Sequence, residues 1–308
     1  MKQKHGLRKG FWKNVKRDRV LIIMVLPVVL HFLIFSYYPM YGNIIAFKNY
    51  NPLDGINGSP WAGLEHFKTL FASPYFGRIV RNTLLISLYS LLWGFPIPVL
   101  FALMVNDLRQ GKYKKLVQAA TYVPYFISTV ILVGILFNML SPRYGVINQL
   151  IQFFGGQPIH FMMEPGWFRT VFIASGIWQG FGWSSIVYLA ALSGVNPETY
   201  EAARIDGASK FKQAIHISIP YILPTIIITL ILQIGSTMSV GHEKVILMYN
   251  PVTMEVADVI SSYVYRTGLV EQNTSFASAV GLFNSVVNFI LVVTANKISK
   301  KFSEVSLW

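Results

Sequence analysis

Six long stretches of this chain contain no Asp, Glu, Lys or Arg, and each is at least 25 residues long. They cover residues 20–47, 82–106, 116–142, 170–197, 213–241 and 272–296. About 20 mainly apolar residues are enough for a helix to cross a bilayer, and a charge at its centre costs about 2.5–3.5 kcal/mol. The stretches predict an all-α integral membrane protein with six transmembrane helices, at about 21–40, 83–105, 117–140, 170–192, 219–240 and 277–296.

The composition agrees with a membrane protein and excludes an ordinary soluble enzyme. Charged residues make up 13% of the chain, roughly half of the usual share of about 25%. The chain has no cysteine, which excludes disulfides, a thiolate nucleophile and a Cys-based metal site. No phosphate-binding loop, zinc-helix histidine pair or catalytic carboxylate pair is present. We therefore predict that the chain has no catalytic residue and no metal site, and is not itself an enzyme.

The positive charges predict the orientation of the helices. Eighteen Lys and Arg side chains lie in the N-terminal segment, the second and fourth connections and the C-terminus, against seven in the opposite connections. The positive-inside rule then places both termini in the cytoplasm. The net charge of +13 is explained by topology and lipid contact rather than by nucleic acid. The predicted parts are a basic N-terminal segment (1–19), a six-helix domain (20–297) and a C-terminal tail (298–308).

Segments outside the helices also carry predictions. Phe11, Trp12 and Val15 alternate with basic residues, which predicts a short interfacial helix; a flexible basic tail is the alternative. The outer connections at 42–81, 141–169 and 241–276 are long enough to form a docking surface for an external partner.

The inner connection at 196–220 has the signals of a helix–turn–helix. Asn196 suits an N-cap, Pro197 a first helical turn and Gly207 a helix stop, while Ser209 caps a second short helix. The segment predicts a docking knob on the cytoplasmic face; an ordinary amphipathic loop is the alternative.

The side chains of this connection suit a helix that enters a groove. Ala202 and Ala203 keep the predicted helix slim. Glu201 and Arg204 provide charges at its rim.

The same connection resembles a known motif. Glu201-Ala202-Ala203, Gly207 after three intervening residues and Ile217-Ser218-Ile219-Pro220 match the EAA loop of ABC importer permeases, E-A-A-x3-G-x9-I-x-L-P, except that Ile219 replaces the usual Leu. Further similarity to maltose-permease-type subunits lies in Trp61-Ala62-Gly63-Leu64, Phe67 and Asn82-Thr83. Pro124-Tyr125-Phe126-Ile127-Ser128 looks like the branch serving complex oligosaccharides, including pectin- and alginate-derived sugars.

The resemblance implies a division of labour between several chains. Such permeases work in pairs, often as two related subunits, with two cytoplasmic ATPases and an extracytoplasmic solute-binding protein that delivers the sugar. No cofactor is then expected on this chain, because ATP and Mg belong to the partner ATPase. The residues that the resemblance assigns to ATPase coupling are Glu201, Ala202, Ala203, Arg204, Asp206, Gly207 and Lys210.

Aromatic and polar side chains in the last three spans are the candidates for a sugar path. Aromatic faces stack on sugar rings, and planar polar groups bind hydroxyls. The candidates are Trp178, Gln179, Trp183, Tyr188, Gln233, Ser236, Asn284 and Asn288. Interface anchoring and helix–helix packing are the alternative roles for such residues.

Small residues and prolines inside the spans predict packing and local bends. Gly176, Gly180 and Gly182 allow close helix packing, and the fourth helix is expected to bend there. Pro96 and Pro98 are expected to break the second helix locally.

Two questions stay open at this point. A membrane assembly factor, or an autonomous carrier without an ATPase partner, would also have spans and an inner loop. Few ionisable groups lie in the spans, which favours a neutral sugar, although an anionic uronide is not excluded.

Overall fold

The computed structural model describes residues 17–109, 111–236 and 238–303, and these are helical apart from turns and one antiparallel bridge between Lys48 and Trp61. The α-helices are α1 (Arg19–Phe32), α2 (Gly55–Gly58), α3 (Glu65–Ala72), α4 (Phe76–Gly94), α5 (Pro96–Asp107), α6 (Lys112–Tyr122), α7 (Thr129–Met139), α8 (Val146–Phe153), α9 (Pro165–Leu192), α10 (Pro197–Ile205), α11 (Lys210–Gln213), α12 (Ile219–Gly235), α13 (His242–Met248), α14 (Met254–Ala257), α15 (Ile260–Tyr265) and α16 (Thr274–Ser303). Short π-helical or 3-10 segments extend or join them at Leu33–Tyr37, Tyr38–Phe47, Val123–Phe126, Ala214–Ser218 and Arg266–Val270.

Within the described residues, four helical stretches are long and apolar enough to cross a membrane. They are Arg19–Phe47, Phe76–Asp107, Lys210–Gly235 and Thr274–Lys301. These stretches contain the predicted first, second and sixth spans completely, and the predicted fifth span except for its last residues. The predicted interfacial helix around Phe11 and the last residues of the tail, 304–308, lie outside the described residues.

The fifth span ends earlier than we predicted. Its helix stops at Gly235 rather than at residue 240, and Ser236 is the C-cap. The Met238 backbone N–H then donates to Asn288 Oδ1 of α16 at 3.0 Å. Asn288 thus supplies a partner for a backbone N–H that a longer helix would have bonded internally.

The third span is not the single straight helix expected at 117–140. Lys112–Phe126 and Thr129–Met139 meet at a bend of 103°. Ile127 is extended between them, and Ser128 caps α7 by accepting a hydrogen bond from the Ile131 N–H at 3.4 Å. This pair makes a fifth span if it is counted as one.

Helix α9 is the central element of the fold. It contains the predicted fourth span, is 28 residues long and packs against α4, α5, α6 and α12. It is less apolar than the four candidate spans, since it carries several Gly, Ser and Trp residues. Six spans therefore remain a prediction.

The three glycines of α9 differ in their surroundings. A Cβ at Gly182 would collide with the Thr121 carbonyl oxygen of α6, and one at Gly176 would lie 3.4 Å from Lys244 Nζ. Nothing lies within 4 Å of a Cβ at Gly180. Helix α9 runs without a break past all three.

The prolines of the second span interrupt its hydrogen bonding without ending the span. Phe95, between α4 and α5, keeps helical φ and ψ angles of −71° and −44°. The two helices form one stretch, Phe76–Asp107.

Asn82 and Thr83 bond α4 to α14, to the residue that follows it and to the start of α15. Asn82 Nδ2 donates to the carbonyl oxygens of Glu255 and Asp258 at 2.8 and 3.0 Å. Thr83 Oγ1 accepts a hydrogen bond from the Ile260 N–H at 2.9 Å. These residues, part of the sequence resemblance, are buried structural links.

Candidate functional site

The inner connection folds as predicted from its capping residues. Asn196 Oδ1 accepts a hydrogen bond from the Glu198 N–H at 3.0 Å, and Pro197 occupies the first turn of α10. Glu198 adds an acidic group at the positive end of the helix. These capping residues therefore fix the start of α10 at Pro197.

The end of α10 depends on Gly207. Its φ is +75°, a left-handed conformation that favours glycine. The Ala208 N–H donates a hydrogen bond to the Ala203 carbonyl oxygen at 2.8 Å, and the Gly207 N–H donates to the Arg204 carbonyl oxygen at 3.1 Å. Ser209 Oγ then accepts from the Lys212 N–H at 3.4 Å and starts α11. The predicted helix–turn–helix at this point is confirmed.

The two faces of α10 differ. Glu201, Arg204 and Lys210 line a cleft of about 590 Å³, together with residues of α5, α6 and α9. Ala202 and Ile205 do not line it, and Ile205 is 87% exposed. Phe211 of α11 is 75% exposed. The face away from the cleft thus carries the small side chain of Ala202 and the large exposed apolar side chain of Ile205.

Two side-chain contacts tie this segment to the helices behind it. Lys210 Nζ lies 3.0 Å from Asp107 Oδ1 at the end of α5. The hydroxyls of Tyr200 and Ser218 lie 2.8 Å apart, next to the start of α12. A force applied to α10 would therefore reach both α5 and α12. Asp107, Tyr200, Ile205 and Phe211 were not identified from the sequence, although large apolar residues in a charged loop were a usable signal.

Two neighbouring cavities lie between α4, α9 and the end of α12. The larger has a volume of about 340 Å³ and the smaller about 220 Å³. Ser90, Phe172, Gln233 and Gly241 line both. We refer to the two together as the central cavity.

Three of the predicted path residues line this cavity. Gln179 lines the larger part, where its Nε2 donates to the Ile127 carbonyl at 2.7 Å. Gln233 lines both parts and Ser236 the smaller part. The structure thus brings polar groups from α9 and α12 to one cavity.

The aromatic candidates lie elsewhere. Trp178 lines a separate apolar pocket of about 410 Å³ beside α7 and α8. Trp183 stacks on Tyr125, with ring centroids 4.8 Å apart, and is 41% exposed. Tyr188 is buried, and its hydroxyl lies 2.9 Å from Thr229 Oγ1. None of the three lines the central cavity.

The two asparagines of α16 are also apart from the central cavity. Asn288 binds the chain after α12, through the Met238 N–H and Ser239 Oγ. Asn284 lines another cavity of about 580 Å³, and its buried Oδ1 has no hydrogen-bond partner among the described residues. His242 and Tyr265, whose rings stack 5.6 Å apart, line that cavity too.

A charged side chain that the sequence did not single out lines the central cavity. Lys244 of α13 extends its Nζ to the Phe172 carbonyl oxygen at 2.7 Å and lies 4.6 Å from the centroid of the Phe172 ring. Burial lowers the pKa of Lys244 from its ordinary value of 10.5 to about 8. In the sequence it is only one of two Lys and Arg residues in the outer connection at 241–276.

Comparison with known proteins finds chains that are similar over nearly the whole length. The chain is 44% identical over 306 residues to the polygalacturonan/rhamnogalacturonan transport system permease protein YteP of Bacillus subtilis (strain 168), covering 96% of this chain and 95% of that protein. It is also 44% identical over 294 residues to the protein LplB of the same organism, covering 96% of this chain and 92% of that protein.

Solved structures agree with these relatives. A chain of a bacterial alginate ABC transporter, crystallised in complex with an alginate pentasaccharide-bound periplasmic protein, superposes with a TM-score of 0.87 at 43% identity. That match covers 96% of this chain and 99% of the other. The sequence model of the family described as "Binding-protein-dependent transport system inner membrane component" matches residues 69–304, well over half of the chain. The chain therefore belongs to the family of inner membrane components of binding-protein-dependent transport systems.

Proposed function

We propose that this chain is a transmembrane permease subunit of an ATP-driven importer. It translocates an oligosaccharide that an extracytoplasmic binding protein delivers. The observation that carries the proposal is the exposed helix α10, which bears Glu201-Ala202-Ala203 and ends at Gly207 in a chain of this family. The relatives named for polygalacturonan/rhamnogalacturonan and for alginate support a saccharide as the substrate.

The surface of α10 and α11 supports a docking role toward an ATPase. Ile205 and Phe211 are large apolar residues held in solvent. Burying each of them in a groove would contribute about 1.5–3 kcal/mol. Glu201, Arg204 and Lys210 lie on the cleft side of the segment, where Lys210 is bonded to Asp107 of α5.

The proposal requires other chains. ATP and Mg bind to two cytoplasmic ATPases, while a second permease, which we expect to be a related but different subunit, completes the path. In this arrangement this chain has a basic cytoplasmic segment (1–19), a six-helix domain (20–297) in the cytoplasmic membrane with its coupling loop at 196–220, and a cytoplasmic tail (298–308).

The orientation is testable because the chain has no native cysteine. Leu53 is 94% exposed in a predicted outer connection, and Tyr113 is 68% exposed in a predicted inner one. In intact cells, a membrane-impermeant maleimide should label Leu53→Cys and should label Tyr113→Cys only after permeabilisation. Labelling in the reverse order would reject the orientation.

The ATPase partnership is tested by purification of the complex. The chain is tagged, solubilised gently from native membranes, and its co-purifying proteins are identified by mass spectrometry. Gly207→Pro is incompatible with the positive φ of this position and removes the N–H that donates to the Arg204 carbonyl oxygen. Gly155→Pro is a matched control, since Gly155 has a φ of +81° and an equivalent bond to Gln152 in an outer connection.

We expect an ATPase and a second permease with the wild type and with Gly155→Pro. The ATPase should be lost with Gly207→Pro, while the second permease remains. Purification of all three forms without any ATPase would reject the proposal and favour an autonomous carrier or an assembly factor.

A further inference from the structure

Lys244 is a cation that lines the central cavity without an acidic partner. The described residues that line the larger part of the cavity include no Asp or Glu. None of the ion pairs among the described residues involves Lys244. Its nearest partners are the carbonyl oxygen and the ring of Phe172. The positive charge is therefore held by dipoles and a ring face, and is not neutralised.

This environment is costly for a residue with only a structural role. An ammonium group removed from water needs compensation, and a carbonyl and an aromatic face supply part of it. A neutral Gln or Met would fill the same space without the desolvation cost. A buried cation at a cavity is consequently a candidate for binding a charged ligand.

The ammonium group retains capacity for such a ligand. It has three N–H donors, and the Phe172 carbonyl uses one of them. A carboxylate can accept the others in short, charge-assisted hydrogen bonds.

The neighbouring side chains suit the rest of a saccharide. Gln179 and Gln233 line the same cavity, and amide groups bind hydroxyls. A volume of about 340 Å³ lies within the range of ligand sites, about 300–1,000 Å³. One cavity thus combines amides for hydroxyl groups with a single ammonium for a carboxylate.

We propose that Lys244 is the specificity-determining residue of the translocation path and binds a carboxylate of the saccharide, so that the path selects uronate oligomers over neutral ones. This inference rests on the proposed function, since it assumes that a saccharide crosses the central cavity.

The test compares one acidic probe with its neutral derivative. Trigalacturonate and its fully methyl-esterified form share one sugar backbone, and the ester replaces each charged carboxylate by a neutral group that is larger by one methyl. Binding of each is measured on the purified permease–ATPase complex, with ATP held by a hydrolysis-deficient ATPase. The variants are Lys244→Gln, Lys244→Arg and Lys68→Gln, the last removing an exposed lysine of another outer connection.

We expect the wild type to bind the acid at least tenfold more tightly than the ester, in line with one desolvated charge-assisted contact. Lys244→Gln should lose that preference by weakening the acid alone, while Lys244→Arg and Lys68→Gln keep it. Equal affinity of the wild type for both probes, or an unchanged preference in Lys244→Gln, would overturn the inference.

The remaining outcomes distinguish a failure of this inference from a failure of the proposed function. If Lys244→Gln weakens both probes equally, Lys244 has only a structural role and the inference fails. If no ATPase co-purifies with the wild type, the proposed function itself fails. An intact complex without charge preference rejects the role of Lys244 and leaves the importer proposal standing.

Discussion

Gly182 sets the distance between α9 and α6. A methyl group there would collide with the Thr121 carbonyl oxygen, whereas Gly180, half a turn away, has open space. We predict that Gly182→Ala lowers the free energy of unfolding by about 1–3 kcal/mol through overpacking. Thermal unfolding of the purified protein measures this effect. Gly180→Ala is the matched control and should be neutral or slightly stabilising; equal effects of the two would refute the packing role.

Lys244 predicts a pH dependence of binding to an acidic saccharide. Its pKa of about 8 means that the ammonium form is present below pH 8 and is lost as the pH rises through that value. The carboxylate of a uronate stays ionised throughout this range. Affinity for trigalacturonate should therefore be constant below pH 8 and fall above it, by up to about tenfold per pH unit.

Controls identify the titrating group. The methyl ester, and the acid with Lys244→Arg, should give flat profiles, because arginine keeps its charge. Other titratable groups near Lys244 are His242 and Glu243 on α13, and Tyr263 and Tyr265 on the adjacent α15. A profile that falls equally in Lys244→Arg would assign the effect to one of these.

The residues of the cavity were only partly predictable. Gln179 and Gln233 were found because amides are rare in apolar spans. Lys244 was missed because it lies just after the charge-free stretch of the fifth span, so the sequence places it in an outer connection rather than inside the helix bundle. The chain turns at Ser236, and α13 brings the lysine back to α9. That return depends on tertiary packing.

Among the elements, the bent pair α6–α7 is the main departure from the sequence prediction. From Leu116 to Met139 no charged residue interrupts the pair, so the hydropathy pattern predicts one span. Pro124 and Ser128 were visible signals of a break, but their effect depends on the environment. Helix α10, in contrast, was predicted well because its limits depend on local capping by Asn196 and Gly207.

At the bend between α6 and α7, the Ile127 carbonyl oxygen receives its hydrogen bond from a side chain of α9. Gln179 Nε2 donates to the Ile127 carbonyl oxygen at 2.7 Å. We predict that Gln179→Leu costs about 1–3 kcal/mol, because the carbonyl loses its partner next to an apolar side chain. Chemical or thermal unfolding measures the loss. Gln152→Leu, on an exposed position of α8, should change stability by less than about 0.5 kcal/mol; a similar cost for both would contradict the role of Gln179.

At the scale of the whole molecule, apolar stretches and basic loops predicted an all-helical membrane protein. The structure does not bring all the candidates for a sugar path together, since the aromatic ones pack against other helices or line a separate pocket. Aromatic residues in spans can stack on sugars, anchor the helix at the membrane interface or pack between helices, and only the tertiary structure shows which neighbours each one has. The two permeases and two ATPases of the proposed importer share surfaces that one chain cannot form alone.

The most direct test of this account is transport by the purified complex in proteoliposomes. Labelled oligogalacturonide and its binding protein are supplied outside the vesicles, and ATP and Mg are enclosed with the ATPases. We predict uptake that requires both ATP and the binding protein, that persists in Gly155→Pro and that is lost in Gly207→Pro. Uptake by the wild type without ATP, or undiminished uptake in Gly207→Pro, would contradict the account.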